Sequence, residues 1–143
     1  KYLFVCLIEL CSALLMTLIA VLRMTVFADS PVYRENALMN ANGFALGTAF
    51  VLFGLFNAIF VGGFFRTVYR IGKPFIIYIV VNFVVIAVAE ALHHFPGLSA
   101  LNAFGTDAFG LQMGLLILGM SIYVVLTYIS FRKSCSRLER IDL

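Results

Sequence analysis

Long apolar runs alternate along this chain with short polar joints. Four runs, residues 2–27, 44–65, 75–92 and 111–131, take up most of its 143 positions. None shows the strict two-residue alternation of a membrane barrel strand. Each has roughly the 17–25 residues a helix needs to cross about 30 Å of hydrocarbon. A helix also satisfies its backbone N–H and C=O groups within one segment, as lipid requires. The pattern therefore predicts an all-α polytopic membrane protein: four transmembrane helices in a single transmembrane domain, 1–143, followed by a tail at 132–143.

The joints carry the breakers. Pro31 lies in the first joint, Pro74 directly before the third run and Pro96 directly after it, all places where a missing N–H is tolerated. The first joint, 28–43, is polar, with Asn36, Asn40 and Asn42 near the second run, and is too short for a folded domain. The third, 93–110, mixes Phe95, Leu98, Leu101 and Phe104 with Pro96, Gly97, Gly105 and Asp107. It reads either as an amphipathic loop on the membrane surface or as a segment dipping back where protein covers its backbone.

Composition leaves no room for a soluble domain, since 63% of residues are hydrophobic and the mean hydropathy is +1.06. Charge matters through its placement. The second joint holds Arg66, Arg70 and Lys73, and the tail holds Arg132, Lys133, Arg137 and Arg140; the first joint has Arg34 against Asp29 and Glu35, and the third has Asp107 alone. Cytoplasmic joints collect Lys and Arg, so both termini are expected in the cytoplasm. Cys6, Cys11 and Cys135 form no C-x-x-C pair, so neither a structural disulfide nor a thiolate metal site is expected. The first run is too long for a signal-peptide core, and the absence of an initial Met is what a processed or partial polypeptide would show.

Within the runs, Gly54, Ala58 and Gly62 recur every fourth residue, and Gly43–Gly47 and Gly110–Gly114 are G-x-x-x-G pairs. Small residues so spaced lay a groove along a helix and let another backbone approach, which marks the second run as the packing helix. Ionisable groups inside spans are costly and face a bundle interior, a cavity or a partner. Glu90 and Asn82 lie eight residues apart on about one face of the third run and would form a polar stripe, unless Glu90 simply reaches the headgroups. Glu9 lies about 10 Å inside the first helix end, where an interior or inter-subunit contact suits it, as does Asn57 in the second run. Arg23 can snorkel outward along its alkyl stem. His93 and His94 point about 100° apart if the helix continues through them. With no carboxylate or cysteine at ligand spacing, neither metal nor haem is expected there, and a pH-sensing role has no named partner.

No phosphate loop, dinucleotide fingerprint, zinc-protease helix or serine elbow is present. The chain is therefore expected to be no enzyme, with no cofactor and no nucleic-acid partner. The tail YISFRKSCSRLERIDL, residues 128–143, resembles the C-terminal end of bacterial type-2 ABC transporter permeases, where the last span runs into a basic stretch and an acidic, basic, Ile or Val, Asp-Leu ending. NALMNAN at 36–42 and YRIGKPF at 69–75 also resemble a small group of those permeases. The resemblance implies a six-span fold of which this chain matches the C-terminal four. It also implies a cytoplasmic hairpin 66–74 and an outer segment 93–110 that often dips into the membrane in that family. On that reading the chain is a permease subunit of an ABC exporter in the bacterial cell membrane, embedded in lipid and paired with a second permease subunit. An ABC ATPase would meet Arg66, Arg70 and Lys73; Gly54, Ala58 and Gly62 would pack helices; Asn82 and Glu90 would line the path of a hydrophobic or amphipathic substrate. The alternative is a non-transporting accessory or assembly subunit. A haem-carrying or enzymatic subunit lacks paired ligands and paired carboxylates.

Overall fold

A computed structural model describes residues 2–34, 38–67, 70–104 and 107–139. The sequence features at Asn36, Tyr69, Gly105 and the terminal stretch 140–143 lie outside the described residues. Among the described residues every element is helical: α1 (Tyr2–Thr25), α2 (Pro31–Arg34), α3 (Gly43–Leu55), a π-helical turn (Phe56–Val61), α4 (Gly62–Arg66), α5 (Gly72–Leu92), a 3₁₀ turn (Ser99–Asn102) and α6 (Phe109–Glu139). Four stretches are long and apolar enough to cross a membrane: Tyr2–Thr25, Gly43–Arg66, Gly72–Leu92 and Phe109–Arg137.

Two boundaries differ by more than two residues from those read in the sequence. The third span begins at Gly72 rather than 75, because Pro74 occupies its first turn, where no intrahelical N–H is lost. The last helix runs through the expected tail to Glu139, since residues 132–139 contain neither Gly nor Pro to stop it.

The bundle is organised around one tight seam between the second and last spans. A Cβ on Gly43 would collide with the backbone of Gln112. One on Gly47 would stand 2.6 Å from the Leu115 carbonyl oxygen, and one on Gly54 would stand 3.1 Å from Tyr123 Cα. Gly119 answers from α6, lying against the Gly47 backbone. Small residues here replace side-chain volume with backbone contact, the usual means of holding helices together when lipid offers no hydrophobic drive. Gly110 and Gly114, by contrast, face open space.

Each remaining span attaches by a narrower strip. α1 buries Glu9, Ala13 and Ala20, spaced by four and seven residues along one face, while Leu3, Phe4, Leu14 and Leu15 stay exposed. α5 buries only Pro74 and Ala89. It is held by rings: Tyr78 meets Phe56 edge-on at 5.2 Å, and Phe75 meets Phe60 at 6.1 Å.

Candidate functional site

Polar side chains gather at three levels of the bundle. The first level lies inside it, around the π-helical turn. One extra residue in that turn of the second span brings Asn57, with no exposed surface, into the seam. Its Nδ2 donates to Glu9 Oε2 at 2.9 Å and to Thr127 Oγ1 at 3.0 Å. Tyr123 donates its hydroxyl to the same Glu9 oxygen at 2.9 Å. The Asn57 carbonyl accepts from Ser130 Oγ at 2.6 Å, and Tyr2 extends the chain to Ser130 and Ser134 at 2.8 and 3.0 Å. Glu9 Oε1 and Asn57 Oδ1 remain buried acceptors without a donor. A carboxylate thus sits between three spans at the point where one of them leaves α-helical geometry.

The second level is a cleft of about 610 Å³ at the basic end, between α4, the start of α5 and the end of α6. Arg66, Lys73, Lys133 and Arg137 line it together with Ala58, Gly62 and Ser130. Among the described residues no carboxylate lines it, so an anionic group would meet the four positive charges of Arg66, Lys73, Lys133 and Arg137 there. Arg137 Nη1 leans on the Gly62 carbonyl at 3.4 Å, and a Cβ on Gly62 would stand 2.8 Å from Ser130 Oγ. Gly63 lies against Pro74, closing the back of the cleft.

The third level is the opposite end, where the joint 93–110 is tied down by amides. Asn42 caps α3 by accepting from Ala45 N at 3.0 Å, and its Nδ2 donates to the Leu101 and Ala103 carbonyls at 2.9 and 3.0 Å. Asn40 pairs twice with Asn102 through its backbone N–H and side-chain amide, at 2.5 and 2.9 Å. Gln112 accepts from Phe44 N at 2.8 Å and donates to the Ala100 carbonyl at 2.7 Å. Backbone outside regular helix is thereby satisfied by side chains, as it must be near or within a membrane. Arg23 does not simply reach outward: its Nη2 donates to Asn40 Oδ1 at 3.0 Å.

At the same end, Glu90 accepts from Met39 N at 3.2 and 3.3 Å through its two oxygens. His93 Nε2 and His94 Nε2 each lie 3.8 Å from Glu90 Oε1. The expectation that the two histidines could not address one point assumed a helix running through them and no carboxylate at ligand spacing. Both premises fail. α5 ends at Leu92, the two imidazoles lie side by side with centroids 3.9 Å apart and planes tilted by 37°, and Glu90 stands three and four residues upstream. One ligand atom from each of Glu90, His93 and His94 lies within 4.8 Å of the other two.

The residues singled out from the sequence fall as follows. Gly54 and Gly62 lie against α6. Ala58, expected in register between them, instead lines the basic cleft, because the π-helical turn gives the seam position to Asn57. Arg66 and Lys73 line that cleft, while Arg70 is exposed beside it with its carbonyl accepting from Thr67. Asn82 accepts from Tyr78 at 3.3 Å within its own helix and Glu90 is engaged by Met39, so the two are held separately rather than as one stripe. Sequence reasoning singled out Glu9 and Asn57 but not Tyr123, Thr127, Ser130 and Ser134. Their spacing of four, three and four residues, from the apolar run into the basic stretch after it, is a one-face signal that could have found them.

Comparison with protein-family models, with curated proteins and with solved structures finds no match for this chain.

Proposed function

We propose that the chain is a membrane-spanning permease subunit of an ABC exporter, working with a second permease subunit and a separate ATPase in the bacterial cell membrane. The observation that carries this reading is the arrangement along the second span. A π-helical turn gripping the buried Glu9 stands directly above a cleft lined by Arg66, Lys73, Lys133 and Arg137. Discontinuities of this type inside helices recur at functional sites, and an intramembrane carboxylate is a functional residue by default. The basic cleft, facing the cytoplasm by the rule that positive charge stays inside, offers a surface through which an ATPase can push on that turn. Nucleotide binding by the partner would shift the bundle between two packings of the same helices, and a hydrophobic or amphipathic substrate would move against its apolar faces.

Replacing Arg66, Arg70 and Lys73 together by Glu should leave the subunit folded and inserted. It should also abolish stimulation of the partner's ATP hydrolysis by transport substrate. Unchanged coupling would overturn the assignment of this face. The accessory-subunit reading draws on one observation, that Asn82 and Glu90 are engaged locally rather than aligned on a path. On that reading both tolerate apolar replacement without loss of the complex's activity.

A further inference from the structure

The Glu90, His93 and His94 group is used neither by the bundle seam nor by the basic cleft. His93 is buried, yet neither of its ring nitrogens has a hydrogen-bond partner. A buried imidazole with nothing to donate to or accept from loses the full value of its solvation, so the arrangement asks for a partner. Its neighbours define what kind. Beside it stand a second imidazole, His94, which is 58% exposed, and the carboxylate of Glu90, which is 31% exposed. Two nitrogens and one oxygen form the donor set that borderline divalent ions take with a water in the fourth place.

We propose that Glu90, His93 and His94 bind one divalent transition-metal ion, zinc by preference. In a tetrahedral site with ligands near 2.0–2.1 Å, donor atoms stand about 3.3 Å apart. The 3.8 Å separations from Glu90 Oε1 to each imidazole therefore need to close by only about half an ångström. The turn that follows Leu92 makes this possible, since it brings the two rings together, tilted by 37° with centroids 3.9 Å apart, at the helix end. Met39 supplies the outer shell: its N–H donates to the Glu90 carboxylate and fixes its orientation, as such partners do at metal sites. Exposed His94 gives the ion its entry, and buried His93 gives it a dry inner ligand. Because Glu90 would hold both the ion and Met39, occupancy would fasten the end of α5 to the strand of chain that leads into α3.

The test uses the full chain, without a polyhistidine tag, in detergent micelles after treatment with a chelator. Zn²⁺ binding is read by calorimetry, and site geometry by the visible absorption of added Co²⁺. The expected result is one ion per chain, a Co²⁺ spectrum of tetrahedral intensity, and slower hydrogen exchange at Met39 when metal is bound. His94→Gln, at an exposed position, should weaken Zn²⁺ binding at least tenfold while leaving the fold intact. Glu90→Gln, which can still accept from Met39, should do the same. Binding that is absent in the parent chain, or equal in parent and both variants, overturns the proposal. An octahedral Co²⁺ spectrum with unchanged Met39 exchange would mean surface adsorption to His94 alone and would overturn it as well.

Discussion

Asn57 concentrates the interior chemistry in one side chain. It donates to Glu9 and Thr127 and its backbone accepts from Ser130, so three spans meet on a single residue. Asn57→Leu keeps the branched shape and the number of heavy atoms, with bulkier methyl groups, but leaves Glu9 with Tyr123 as its only donor among the described residues and removes the donor to Thr127. The cost of such a loss is about 1–3 kcal/mol, to be measured as a shift in detergent-induced unfolding of the purified chain. Glu9→Gln preserves an acceptor for both Asn57 and Tyr123 and should change stability by less than about 1 kcal/mol, in keeping with the modest worth of hydrogen bonds between membrane helices. Equal stability of Asn57→Leu and the parent would remove the network from any structural role. The depth of Glu9 and Asn57 was legible in the sequence, because a polar residue inside an apolar run is conspicuous. Their pairing was not, because it depends on which helix faces meet, and a single sequence does not state that.

At the scale of elements, the seam between the second span and α6 rests on glycine. Gly47→Leu would drive a side chain into the Leu115 backbone and should separate the two helices, whereas Gly114→Leu adds a side chain into open space and should be tolerated. Disulfide trapping between cysteines introduced on the two helices would read the difference: efficient in the parent and in Gly114→Leu, lost in Gly47→Leu. Equal trapping in all three would contradict the packing described. The repeat at 54, 58 and 62 announced the packing helix but not its register. An i, i+4 stripe presumes continuous α-helix, and the turn at Phe56–Val61 shifts the seam by one position, placing Asn57 inside and Ala58 in the cleft. Nothing in FNAIFV announces such a turn, because it holds neither Gly nor Pro and a lone Asn says nothing of the backbone geometry around it. The third joint follows the same logic. Its Gly/Pro-broken character was plain, but its anchoring by Asn40 and Asn42 joins residues about 60 positions apart, and Gln112 reaches back across the joint to Ala100.

For the whole molecule, hydropathy alone identified the four spans, because burial in lipid is a property of each helix by itself. The function is a property of what the bundle meets. On the proposed reading, Glu9 and the π-helical turn would be the interior element that switches between two arrangements, and the basic cleft the handle on it from one side. That reading places the energy source in a nucleotide-hydrolysing partner. The most direct measurement is purification of the chain from its native membrane in mild detergent, with mass spectrometry and an ATPase assay on the eluate. The account predicts a co-purifying ABC ATPase whose hydrolysis depends on this chain and falls when Arg66, Arg70 and Lys73 are reversed in charge. A stable membrane complex containing no nucleotide-binding subunit would contradict it.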